Sequence, residues 1–389
     1  MTTMVVVRCN IKRMLVNSSQ NKKLLGIDIF RGIAAYGVVL IHGLGDMSRD
    51  ENSLIVTNFF LAFCVPFFLA TSLYLSRKSL LSQDRKTYII NRTKRIIIPY
   101  FAWSLIYFLA RLLGSLIGNK DSFNKLIADP INLIFFGSSS LQLYFLPMLF
   151  CGVLAAIPIT TFLAKIKNNL LVILCFFLSI WLFDLIVETG NDFVLGEGLA
   201  FQNLIDISVL TNFGIFQLIR VILVILAWII RCTPYIIFSF IINDFPIFQK
   251  MHDYFSNSHK IFHNQLILLF LLPIFFGIFM LSNLEIAYFL LPYITLIYAI
   301  LVSGLISTNA ILSLIAKKLG YFSFGIYLFH ALITAGFLPI IVKIYPQFGN
   351  IQLSPLMLIL SSGIIFFVSL TVTYFISLNK TAARILLAA

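Results

Sequence analysis

Apolar stretches long enough to cross a lipid bilayer recur from Gly26 to Leu378, and they constrain the fold more than any other feature of the chain. A helix rising 1.5 Å per residue needs about 20 apolar residues to span roughly 30 Å of hydrocarbon. Windows of that kind fall near 26–44, 54–76, 95–117, 141–163, 169–187, 215–243, 264–281, 286–306, 321–343 and 354–378. Apolar residues make up 60% of the chain and charged residues 11%, against about 45–50% and about 25% in soluble domains, so no water-soluble core can enclose this much greasy surface. A membrane β-barrel is disfavoured, because its strands read as about ten residues of alternating polarity. The expected fold is all-α: a polytopic membrane protein of about ten transmembrane helices.

The net charge of +13 gives no ground for nucleic-acid binding, since polytopic proteins concentrate Lys and Arg in short cytoplasmic loops. Placing the N-terminus in the cytoplasm puts the basic clusters at 8–23, 77–95, 165–167, 250–260, 317–318 and 380–384 on one side and leaves only Arg49, Lys120, Lys125 and Lys343 on the other. Both termini are therefore expected in the cytoplasm. The stretch 215–243 is read as one long helix broken at Pro234, because splitting it in two would send Lys317 and Lys318 outside. Residues 1–23 form a basic cytoplasmic segment. The apolar stretch after them lacks a small-residue cleavage site and carries Arg31 and His42, so it is read as a retained first span. Residues 379–389 are read as a cytoplasmic tail. The five cysteines form no CxxC pair, which indicates neither a disulfide framework nor a metal site.

Titratable side chains at membrane depth are expensive and mark candidate functional sites. In GIDIFRGIAAYGVVLIHG, Arg31 and His42 stand eleven residues apart, about 16 Å along one helix face. A bland reading is available: Arg31 pairs with Asp28 and snorkels while His42 sits among headgroups. Arg92 and Arg95 share a helix face at the start of the third span, and two guanidinium groups there suit either bidentate phosphate binding or a plain positive anchor. Tyr327 and His330 share a face in the ninth span, where His330 serves as a proton carrier or as a packing residue. Arg111, Arg220 and Arg231 need polar partners that spacing alone does not assign, with Asp184 and Glu188 as candidates.

Taken together, these pieces resemble the acyltransferase 3 family of integral membrane acyltransferases. The first span is similar to its D-x-x-R-G-x-x-A opening, with the Arg-x10-His spacing reproduced by Arg31 and His42. Arg92 and Arg95 match its Arg-x-x-Arg element, and the continuation IIIPYFAWSL is similar to the branch that decorates cell-surface glycans. FSFGIYLFH resembles the S-Y-x-I-Y-L-x-H signature with Phe324 in place of Tyr, and QLYFLPMLF is a weaker echo of the Trp-Phe-Leu segment with Tyr144 in place of Trp. The resemblance runs from about Lys23 to Leu378, although residues 188–244 match no named element.

The resemblance implies transfer of an acyl group, most often acetyl, from cytoplasmic acyl-CoA to a hydroxyl of a cell-surface or lipid-linked glycan. It implies an enzyme of the plasma (inner) membrane that works without a metal, in contact with the bilayer, its two substrates and polysaccharide-assembly partners. Arg31, Arg92 and Arg95 would hold the coenzyme phosphates. His42 would act as base, and His330 and Tyr327 would orient it or stabilise the oxyanion. A transporter or flippase for an envelope glycan or lipid is the rival from another class, because such proteins also carry broken helices and buried charges. A non-catalytic scaffold is a third reading.

Overall fold

The computed structural model describes residues 24–42, 50–117, 127–188, 200–201, 215–250, 285–344 and 354–388, with backbone alone at 117, 188, 215–216, 285–288 and 337–344. The described chain is helical and contains no strand. Its helices are α1 (Leu25–His42), α2 (Glu51–Ser82), α3 (Arg85–Ile117), α4 (Phe145–Leu163), α5 (Asn169–Glu188), α6 (Ile215–Asp244), α7 (Glu285–Thr308), α8 (Ala310–Ile344), α9 (Pro355–Leu378) and the short α10 (Lys380–Leu386). Among the described residues nine helices are long and apolar enough to cross a membrane, each matching an expected span. The remaining expected span, 264–281, lies outside the described residues.

Helix α1 lies at the centre and packs against α2, α7, α8 and α9. Small residues make that possible, because without a hydrophobic drive between helices in lipid, association depends on close backbone approach. A Cβ at Gly26 would overlap the Ala299 carbonyl oxygen of α7, and one at Gly37 would overlap the Cys64 and Phe60 side chains of α2. The Gly26 amide also donates to Ser303 Oγ at 3.0 Å. Helix α2 joins this group to a second one, since it also packs on α4 and α6. There Phe176 of α5, Tyr235 and Phe238 of α6 and Tyr293 of α7 gather edge-on and stacked, with Phe238 and Tyr293 centroids 4.7 Å apart. The outer surface is apolar, as hydrocarbon solvent requires: Leu116 is 76% exposed, and Leu170, Phe367 and Phe375 also face outward.

Helix α6 runs continuously through Pro234, so it is the single span expected, but without the break in the helix expected at that proline. Helices α2 and α3 extend well beyond the expected spans and meet in a tight helical hairpin. The expected spans stop at the basic cluster because charges cannot enter hydrocarbon, but a helix can continue into water. The hairpin tip is capped by Asp84, whose carboxylate accepts the Thr87 amide at 2.9 Å. That bond, joined by the Thr87 hydroxyl, holds the Asp84 carboxyl below the usual carboxylate value. Beneath the hairpin the buried Arg77 forms a two-pronged ion pair with Asp244 at the end of α6, at 3.0 and 2.9 Å, and lies over the Phe240 ring. The C-terminal segment turns back after Asn379. Helix α10 packs on α3 and α9, and the Trp103 indole donates to the Leu386 carbonyl at 2.9 Å.

Candidate functional site

His42 ends α1 and His330 lies within α8, which runs alongside α1 so closely that a Cβ at Gly320 would strike the Asp28 carboxylate. The two imidazoles face each other with centroids 5.8 Å apart and planes 28° from parallel. His330 is fully buried and His42 partly so. His330 Nδ1 lies 2.8 Å from the Tyr327 carbonyl oxygen one turn earlier. A carbonyl only accepts, so Nδ1 carries the proton, and in the neutral form of the ring Nε2 presents a lone pair. Among the described residues, nothing hydrogen-bonds that Nε2.

Tyr327 stands beside His330, with ring centroids 6.3 Å apart, and its ring meets Phe68 and Phe145 edge-on at 5.7 Å. Its hydroxyl donates to the Gln142 carbonyl at 2.7 Å, so its one proton is already committed. Gln142 comes from the segment between α3 and α4, where a π-helical turn (Asn132–Phe136) ends at Gly137 and a 3-10 turn (Leu141–Tyr144) follows. Gly137 has φ +78°, the left-handed region that glycine enters without steric cost. The 3-10 turn contacts α3, α4 and α8. There Ser140 Oγ donates to Gln142 Oε1, Gln142 Nε2 donates to the Tyr107 hydroxyl, and Tyr107 donates to the Leu328 carbonyl, at 2.7, 2.7 and 2.6 Å. Sequence reasoning missed Gln142 and Tyr107. A lone buried amide and tyrosine inside apolar runs is the signal that points to them.

The basic end forms a separate cluster. Arg92 lies over the Tyr88 ring at 5.5 Å and reaches the Leu75 carbonyl at 3.4 Å, while Tyr88 hydrogen-bonds Ser76. Arg95 is exposed, and its charge acts on Arg92. The charge acting on Arg31 is that of Asp28. Arg31 and His42 share the unbroken α1, which sets them about 16 Å apart along its axis. The structure thus brings His42, His330 and Tyr327 into one group and Arg92 and Arg95 into another, with Arg31 on the helix that leads toward the histidines. Of the three unassigned arginines, Arg220 pairs with Asp129 at 2.7 Å and lies over Phe136. Arg231 lies over Phe183, next to Asp184 in sequence.

The acyltransferase 3 family model, described as an acyltransferase domain, matches residues 24–378, which takes in both clusters. The chain belongs to the acyltransferase 3 family. No curated protein and no solved structure matches it. It is a multi-pass membrane acyltransferase. In this acyltransferase Arg31 and His42 lie on α1, and α8 brings His330 against His42 at the C-terminal end of that helix.

Proposed function

We propose that this acyltransferase moves an acyl group, acetyl by preference, from cytoplasmic acyl-CoA to a hydroxyl of a cell-surface or lipid-linked glycan at the plasma membrane. The observation that carries this reading is the pairing of His42 with a buried, singly protonated His330, one helix length from a cationic end. Two guanidinium groups on one face match phosphate geometry, so Arg95 and Arg92 receive the coenzyme phosphates and Arg31 guides the arm inward. The distance of about 16 Å along α1 suits the extended pantetheine arm, whose thioester then lies beside His42.

There the acceptor hydroxyl oxygen attacks the thioester carbonyl carbon and His42 takes the hydroxyl proton. Collapse of the tetrahedral intermediate breaks the C–S bond, and the proton passes to the departing sulfur. The products are the ester and coenzyme A thiol. Two imidazoles joined by an N–H···N bond hold their centroids roughly 5 Å apart, close to the 5.8 Å separation of these near-parallel rings, and turning one ring edge-on to the other would form that bond. His330 Nε2, as an acceptor, orients His42 as a carboxylate does in a hydrolytic triad. Because Nε2 has no proton in this tautomer and the Tyr327 hydroxyl is committed to Gln142, orientation suits the two residues better than oxyanion stabilisation.

The test is release or transfer of label from radiolabelled acetyl-CoA by purified protein or membranes containing it. Wild type is expected to do one or both. Folded protein that binds none of several acyl-CoA species would overturn the reading in favour of a transporter or flippase.

A further inference from the structure

Gln142 is 5% exposed, and burying an amide costs free energy unless each of its atoms finds a partner. Its hydrogen bonds run in one direction. The Leu328 carbonyl only accepts, so the single Tyr107 proton points to it. The Tyr107 oxygen must then accept, which fixes the amide nitrogen of Gln142 on that side and leaves Oε1 for the Ser140 hydroxyl. The Gln142 backbone carbonyl meanwhile takes the Tyr327 proton. One residue therefore ties down two successive positions of α8, Tyr327 by its hydroxyl and Leu328 by its carbonyl. The carbonyl of that same Tyr327 holds the proton of His330 Nδ1.

We propose that Gln142 is a positioning residue that sets the rotation of α8 and with it the approach of the His330 ring to His42. This rests on the acyl-transfer reading above and adds to it the group that fixes the base pair. Loss of the amide frees Tyr107 to turn away from Leu328 and leaves α8 held at Tyr327 alone. A replacement Glu is isosteric when protonated, accepting from Ser140 and donating to Tyr107. When ionised it draws the Tyr107 proton to itself and releases Leu328. The titratable neighbours around it are Tyr107, Tyr144, Tyr327 and His330.

The experiment compares Gln142→Ala, Gln142→Glu and Tyr107→Phe with wild type over a range of pH, using acetyl-CoA as donor. Gln142→Ala and Tyr107→Phe are expected to lower kcat by about 10²-fold or less, the scale of a displaced catalytic group, with the donor KM unchanged. The ratio of Gln142→Glu to wild-type kcat is expected to fall as pH rises, which a purely structural role would not produce. Histidine 15N spectra read the tautomer whether or not the protein turns over, with His330→Asn assigning the signal. They are expected to show Nδ1–H at His330 in wild type and a shifted His330 ring signal in Gln142→Ala. An unchanged His330 signature overturns the proposal even in protein inactive toward acetyl-CoA. Active wild type with unchanged kcat in both Gln142→Ala and Tyr107→Phe overturns it while leaving the acyl-transfer reading intact.

Discussion

His42 and His330, drawn from the first and the eighth described helices, bring their imidazole centroids to 5.8 Å. The contact exists because α1 and α8 pack closely over Gly320, and it turns two isolated titratable residues into a pair. One ring has its Nδ1 proton fixed by the Tyr327 carbonyl, so the pair has unlike members: one partly exposed and able to meet a substrate, the other buried and able to orient it.

At the basic end Arg92 and Arg95 differ in what else they hold. Arg92 packs on Tyr88 and reaches Leu75, whereas Arg95 is exposed. Arg95→Ala is therefore expected to raise the donor KM about tenfold, the scale of one charge-assisted hydrogen bond, and to leave the melting temperature unchanged. Arg92→Ala is expected to raise KM and also lower the melting temperature. Donor titrations and thermal unfolding in detergent separate the two.

Arg77 and Asp244 tie α2 to α6 with two hydrogen bonds. Removing one partner of a buried pair leaves a charge uncompensated, at a cost of about 3–5 kcal/mol, whereas replacing both with apolar residues is far cheaper. Asp244 retains 21% exposure, which places Arg77→Met near the lower end, at about 3 kcal/mol. The double variant Arg77→Met/Asp244→Leu is expected to recover most of that loss in thermal unfolding.

Gly137 adopts φ +78°, and a Cβ there would lie 2.8 Å from the backbone of Leu143 and Tyr144. Gly137→Ala is expected to cost about 1–2 kcal/mol from the left-handed backbone alone. Displacement of the turn that carries Gln142 is expected to lower kcat more than it alters donor KM. Steady-state kinetics alongside thermal unfolding check both effects.

The spans were legible because span-length apolar runs admit few alternatives, and the one through Pro234 is continuous as the loop charges require. The lengths of α2, α3 and α8 were not, because hydropathy marks where a helix leaves the bilayer and not where it ends. His42, His330 and Tyr327 stood out as titratable groups in apolar runs, yet their convergence depends on α1 and α8 lying side by side, which spacing along one helix cannot reveal. The partner of Arg220 went unassigned for a similar reason: Asp129 stands just before the π-helical turn, far from the outer acidic residues nearest in sequence. Gln142 and Tyr107 were missed because neither carries a charge: as polar residues in apolar runs they can be picked out, but their role exists only in the bonds between segments.

The most direct test of the account is transfer of label from radiolabelled acetyl-CoA by the His42→Ala variant, compared with wild type at matched thermal stability. The account predicts a fall in kcat of about 10²–10⁴-fold, the usual contribution of a positioned general base, with donor affinity retained. Undiminished transfer by folded His42→Ala protein would contradict it.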